Sequence, residues 1–264
     1  MLRLLLDAGA DLHAQNFEGH TPLINAALYN SPDRLEKLRL LLEYGASVNE
    51  QGGCEGAALT HAISTSDLEA TKLLLDHGAD IHMFTPDGQN CLHDAIIDHH
   101  ASMVKLLLEY GADVTERTKQ GRQTPLMWAM RRGRFNVPVI ALLLERGASA
   151  NVQNRKGLSP LHIAVCQRNF TVTALLLKHG ADVNAQDRKG STPLMRAVLL
   201  REYPEKRLMK LLLEYEPDLT LRNRKGKTAT EMLVEQYLDP QQGALHPVEQ
   251  LSKMGISVSI PMKF

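Results

Sequence analysis

Three cysteines in 264 residues, Cys54, Cys91 and Cys166, are too few and too scattered for a disulfide framework or a cysteine-based zinc site. Their scarcity points to a reducing compartment, cytoplasmic or nuclear. No apolar run approaches the roughly 18 residues that a membrane helix needs, and Met1–Leu6 meets Asp7 too soon for a secretory signal. Aromatics make up 5% of the chain, with a single tryptophan, Trp128. Stacking platforms for single-stranded nucleic acid are therefore scarce, which disfavours that partner. The chain has no G-x-S-x-G, no Walker loop, no dinucleotide fingerprint, no His-Glu-x-x-His and no Cys-x-x-Cys. No cofactor, no metal and no catalytic residue is expected.

What is present is one phrase repeated at near-constant spacing. A leucine triplet, two residues and Gly-Ala recurs at Leu4–Leu6/Gly9, Leu40–Leu42/Gly45, Leu73–Leu75/Gly78, Leu106–Leu108/Gly111, Leu142–Leu144/Gly147 and Leu175–Leu177/Gly180. A seventh triplet, Leu211–Leu213, is followed by Glu216-Pro217 instead. The triplets begin 36, 33, 33, 36, 33 and 36 residues apart, a period of 33 with three-residue insertions. Such a period signals stacked supersecondary units rather than one closed core. The copies also share a helix start: Thr21-Pro22-Leu23, Thr124-Pro125-Leu126, Ser159-Pro160-Leu161-His162 and Thr192-Pro193-Leu194, with Cys91-Leu92-His93 as a variant. Thr or Ser supplies an N-cap oxygen, Pro fits the first helical position, and the glycine after each leucine helix suits a left-handed C-cap.

Period, cap, core and glycine spacing together resemble the ankyrin-repeat family over residues 1–237. The resemblance implies an all-α repeat, an ankyrin-repeat solenoid of stacked helix pairs joined by β-hairpin fingers, with residues 238–264 as a C-terminal cap or tail. It implies a protein-interaction module or scaffold rather than an enzyme. It places His93 and His162 at the family's Thr-Pro-Leu-His position, where the imidazole makes structural hydrogen bonds, so the run from His93 to His100 is expected to hold no metal. It also puts Asn184 in the finger context that an asparaginyl hydroxylase modifies in ankyrin repeats, although this is equally the family's turn residue.

The copies are uneven. The chain opens on an outer helix, Leu2 to Ala8, with no inner helix before it, and Leu2, Leu5 and Leu6 await a cover. Either this end frays, or a partner or second copy docks on it. The segment between Asn49 and Leu59 is glycine rich and lacks Thr-Pro, which predicts a looser finger. Three turns are lengthened, each with a proline: Pro32, Pro138 and Pro204; Ser31-Pro32 and Asn136 look like fresh helix starts. Gly226 to Leu233 reads as a last inner helix, Val248 to Lys253 as a short outer one, and Ile256 to Phe264 as an extended cap or a free tail.

The net charge is zero, yet residues 1–116 hold 6 Lys and Arg against 18 Asp and Glu, and residues 117–264 hold 24 against 12. The halves thus carry −12 and +12, a statement about partners rather than about fold. The basic excess gathers at the finger tips, Lys119-Gln120, Arg155-Lys156, Arg188-Lys189 and Arg224-Lys225, flanked by Arg117, Arg122, Arg222 and Lys227. In the acidic half the tips read Phe17-Glu18, Cys54-Glu55 and Pro86-Asp87. Such opposed halves also predict weak head-to-tail self-association at low ionic strength, against a plain monomer.

On the inner helices, i, i+4 spacing gathers Asn25/Tyr29, His61/Thr65, Asp94/Asp98, Trp128/Arg132, Ile163/Gln167 and Arg196/Leu200 on one face. Trp128 stands where the acidic stretch meets the basic one, beside Arg131, Arg132 and Arg134, and aromatics beside arginines are frequent in binding hot spots. The expected partner-binding set is Tyr29, His61, Asp94, Asp98, Trp128, Arg131, Arg132, Arg155, Lys156, Arg188, Lys189, Arg224 and Lys225. The expected partner is an acidic or phosphorylated protein, not a membrane and not nucleic acid. The competing reading is a phosphorylated small molecule, or an atypical catalytic site, around Asp94, Asp98, Trp128 and Arg132.

Overall fold

The structure, a computed structural model, describes residues 1–52, 56–85, 88–97, 101–119, 123–131, 135–200 and 205–237. It forms two compact units, Met1–Arg131 with Pro138–Ala148, and Arg132–Val137 with Ser149–Phe264. In the first unit, short helices α2 (Pro22–Leu28), α4 (Ala58–Ser64), α6 (Cys91–Ile97) and α8 (Pro125–Ala129) pack in succession as an inner row. Beside them lie the outer helices α3 (Arg34–Glu43), α5 (Leu68–Asp76) and α7 (Ala101–Glu109), preceded by α1 (Leu2–Asp7) and followed by α9 (Val137–Glu145). In the second unit α10 (Pro160–Cys166), α12 (Pro193–Val198) and α14 (Ala229–Tyr237) make the inner row, and α11 (Phe170–Lys178) and α13 (Glu205–Leu213) the outer one.

The caps work as their residue types require. The hydroxyls of Thr21, Thr124, Ser159 and Thr192 accept from the N–H three residues on, with proline as the next residue in each case. The second and third leucines of the triplets at 40, 73, 106, 142 and 175 are buried, each worth about 1.5–3 kcal/mol. In the first triplet only Leu6 is buried, and Leu4 and Leu5 are exposed. Asparagines staple successive turns. Asn49 Nδ2 donates to the Gly78 carbonyl and its Oδ1 accepts from Asp80 N–H; Asn151 does the same for Gly180 and Asp182. Asn184 Oδ1 accepts from Asp218 N–H at 2.8 Å, so the residue in the hydroxylase-like context holds the next turn in place.

Two details differ from expectation and a third adds to it. The glycine-rich finger is not loose at its base: β1 (Gln51–Gly52) pairs antiparallel with β2 (Gly56–Ala57), with Gln51 opposite Ala57 and Gly52 opposite Gly56. Close contact explains its glycine, because a Cβ on Gly52 would lie 2.7 Å from Ile24 Cδ1 and 2.9 Å from the Gly19 carbonyl oxygen. Among the described residues this is the one finger with a paired two-strand ladder; Phe84 and Asn90 form an isolated bridge. Next, α3 starts at Arg34 rather than directly after Ser31-Pro32. The buried Arg34 guanidinium meets the Asp67 carboxylate and donates to Thr65 Oγ1, tying the lengthened turn to the next repeat. Finally, α14 begins in a reciprocal cap: Thr228 Oγ1 accepts from Glu231 N–H, and the Glu231 carboxylate accepts from Thr228 N–H. The expected helix at 248–253 and segment at 256–264 lie outside the described residues.

Candidate interaction surface

In the second unit each finger turns on an Asx residue followed by Arg-Lys-Gly: Asn154, Asp187 and Asn223. Asn154 Oδ1 accepts from the N–H groups of Lys156 and Leu158, Asp187 Oδ1 from Lys189 and Ser191, and Asn223 Oδ1 from Lys225 and Lys227. The following Gly157, Gly190 and Gly226 all have positive φ, the conformation that closes the turn. Asn16 holds the finger at Phe17-Glu18 in the same way.

Neighbouring fingertips are joined through their backbones. Arg188 N–H donates to the Lys156 carbonyl at 3.3 Å, and Arg224 N–H to the Lys189 carbonyl at 2.9 Å. The fit is close: a Cβ on Gly157 would lie 2.6 Å from Arg188 N, and one on Gly190 3.1 Å from Arg224 N. Glutamines run alongside, Gln153 donating to the Gln186 carbonyl, and Gln186 to the carbonyls of Gly190 and Arg222. The side chains of Arg155, Lys156, Arg188, Lys189, Arg224 and Lys225 therefore project from a fixed row, and all six residues are exposed.

The carboxylates near this row are already engaged. Asp187 is buried, and Arg196 donates to its Oδ2 from Nε at 2.9 Å and again from Nη2. Burial pushes that carboxyl up, but the bonds from Arg196 and from the Ser191 and Lys189 amides outweigh it and hold it below the usual carboxylate range. Glu231 pairs with Arg222, and Glu235 with Lys227. Two of the flanking cations expected to extend the row, Arg222 and Lys227, are thus neutralised by carboxylates of α14. Lys156, Arg188, Lys189, Arg224 and Lys225 meet no carboxylate among the described residues.

The first unit is built differently. Lys119 N–H donates to the Gly88 carbonyl, but its ammonium lies 4.6 Å from the centre of the Phe84 ring, so this fingertip cation is held within the unit. Trp128 is half-buried; the His93 ring meets it edge-on at 5.5 Å, and the Arg131 guanidinium covers it at 4.0 Å. His93 is fully buried, with Nδ1 against Asn90 Oδ1 and Nε2 against the Gln123 carbonyl at 3.1 Å. Burial pushes its pKa down to about 4. His162 repeats the arrangement with Ser159 and the Ser191 carbonyl, and burial lowers its pKa too.

His61 is buried edge-on against His20 at 5.7 Å, so its ring is core rather than contact surface. Tyr29 is exposed at the C-terminal end of α2, and Asp94 is partly exposed on α6. Asp98, Arg132, Arg122, Arg134 and the tips at 54–55 and 86–87 lie outside the described residues. Among the described residues no cluster of His, Cys, Asp or Glu is arranged to hold a metal ion, and no helix is long and apolar enough to cross a membrane.

A family profile described as "Ankyrin repeats (3 copies)" matches residues 1–84, 36–118, 59–154 and 113–187. The chain belongs to the ankyrin-repeat family. Among solved structures, the ankyrin repeat domain of Bcl-3, a member of the IkappaB protein family, is similar with a TM-score of 0.71 and 27% identity, covering 81% of this chain and 94% of that one. The ankyrin repeat domain of human ASB11 is similar with a TM-score of 0.64 and 25% identity, covering 91% of this chain and 100% of that one. Comparison with curated protein sequences finds no match. Ankyrin repeats are generic protein-interaction modules, usually without catalytic activity.

Proposed function

We propose that this ankyrin array is a scaffold or adaptor without enzymatic activity, and that it binds an acidic or phosphorylated protein partner on the fingertips of its second unit. One observation carries the reading: Lys156, Arg188, Lys189, Arg224 and Lys225 project from a hydrogen-bonded row with no carboxylate partner among the described residues, while Arg222, Lys227 and Arg196 beside them are paired. Like charges held in register repel one another, and a binding partner relieves that cost. The planar forks of Arg188 and Arg224 suit bidentate contact with carboxylate or phosphate. Nucleic acid fits less well, since no aromatic side chain stands among these tips. A small-molecule site at Trp128 also gains little support, because Arg131 covers the indole and the His93 ring packs against it in a T-shaped contact.

The test is affinity capture with the wild type and with Arg155→Glu, Lys156→Glu, Arg188→Glu and Lys189→Glu combined, at rising salt and with and without phosphatase. The partner is expected to be lost from the variant and to weaken as salt screens exposed charges beyond about 8 Å. Capture of the same partner, undiminished, by a folded variant rejects the reading.

A further inference from the structure

On the reading that the row binds an acidic partner, its geometry specifies more than the sign of that partner's charge. Within each finger, Arg and Lys are consecutive residues, about 3.8 Å apart at Cα. Between fingers, Lys156 is joined to Arg188, and Lys189 to Arg224, by a backbone hydrogen bond, a step of about 4.8 Å, as between paired strands. Taken in line, these steps space the cation pairs about 9 Å apart along a ridge that carries one pair per finger, three pairs over about 21 Å.

We propose that this ridge takes an extended segment in the polyproline II conformation that carries an acidic or phosphorylated side chain at every third residue. That conformation has three residues per turn and a rise of 3.1 Å, so residues i, i+3 and i+6 lie on one side, about 9 Å apart. A pleated strand repeats its face every two residues, about 6.6 Å, and falls out of step with the pairs. An α-helix, 10–12 Å across, would rest on so narrow a ridge with most of its surface uncovered. The second anionic group meets the Arg188 fork and the Lys189 ammonium, the third those of Arg224 and Lys225, and the first meets the Lys156 ammonium beside Arg155.

Rigidity is what makes spacing readable. The Asx bonds fix each tip, the glutamines join the bases of the fingers, and Gly157 and Gly190 allow the tips to touch. Asp187, the one acidic residue inside the Asx-Arg-Lys-Gly turns, is turned inward onto Arg196 and leaves the row cationic. A flexible basic tail would follow any arrangement of anions. A fixed row discriminates among them.

Three labelled peptides of identical composition test this by fluorescence anisotropy with the whole chain at low salt. Each carries three phosphoserines among glycine, proline and alanine, placed at i, i+3 and i+6, at i, i+2 and i+4, or contiguously. The first is expected to bind tighter than either of the others by on the order of fivefold. Changing Arg188→Gln and Lys189→Gln together, with the circular dichroism spectrum unchanged, is expected to abolish that preference. Equal binding of the three peptides overturns the spacing proposal and leaves the acidic-partner reading standing. Absence of binding by all three overturns both. Tighter binding of duplex DNA or of phosphatidylserine vesicles than of the i, i+3, i+6 peptide also overturns the proposal, by making the occupant a polyanion of another class.

Discussion

The fingers of the two units solve one folding problem with different chemistry. Those of the first unit are mixed: Asn16 closes one around Phe17-Glu18 as the second unit's Asx residues do, β1 and β2 pair at the base of another, and Thr85 with Gln89 and Thr118 with Gln123 hold two more. Those of the second unit are three copies of Asx-Arg-Lys-Gly. Since the first unit stacks its helices without that formula, stacking does not require it. On the proposed function, the uniformity of the second unit's tips and the cations at their crowns serve the acidic partner.

The comparison can be broken most sharply at Asp187, where the second unit places a carboxylate that Asn154 and Asn223 lack. Arg196→Leu should leave this carboxylate buried and short of its partner, costing about 3 kcal/mol. Adding Asp187→Asn should restore most of the loss, because asparagine serves at the equivalent positions. Chemical denaturation near pH 7 checks both. Asp187 has a depressed pKa in the folded state, so its contribution is present above its ordinary value and fades as the pH falls through its folded value.

In the first unit the counterpart is His93. Its folded pKa, about 4, lies below the ordinary 6.5, so its neutral form supports the fold above pH 6.5 and that support is lost as the pH falls toward 4. Going from pH 7 to pH 5 should remove about 2 kcal/mol through this residue. His93→Gln should flatten that part of the stability profile, whatever its effect at pH 7.

A smaller contrast lies between two glycines of the second unit. Gly157 and Gly180 both have positive φ, but a Cβ meets backbone only at Gly157. Gly157→Ala should cost about 2 kcal/mol and Gly180→Ala about 1 kcal/mol, read from denaturation midpoints. Smallest of all, Thr124→Ala and Ser159→Ala should each cost about 1 kcal/mol, equally in the two units, because the cap does the same work in both. Unequal costs would show that the units differ in more than their tips.

Much of this is legible in the sequence, because stacking imposes a period and each helix start needs a particular cap. The leucine triplets and the Thr-Pro and Ser-Pro starts can be read from residue type and spacing, and the structural role of His93 and His162 follows from the resemblance to ankyrin repeats. The Asx residues escape such a reading, although Asn154, Asp187 and Asn223 stand three before each glycine, because the tip cations beside them draw the eye from what holds them. The pairing of Arg222 with Glu231 and of Lys227 with Glu235 joins residues nine and eight apart across a turn, and charge counting does not see such pairs. Nor does it see that Lys119 leans on Phe84, or that His61 turns inward to His20. Gly52 reads as looseness because the contact that demands it, with Ile24 and Gly19, comes from another repeat.

On the proposed function, the fixed cations of the second unit, not the overall charge of the chain, bind an acidic partner. Poly-glutamate binding, followed by anisotropy across a salt series, tests it directly with two variants of equal charge change: Lys156→Glu, Arg188→Glu and Lys189→Glu in the second unit, and Lys37→Glu, Lys72→Glu and Lys105→Glu in the first. The first variant is expected to lose on the order of tenfold or more in affinity, with a flatter salt dependence, and the second to change by less than about twofold. Equal losses in the two variants would contradict the proposed function.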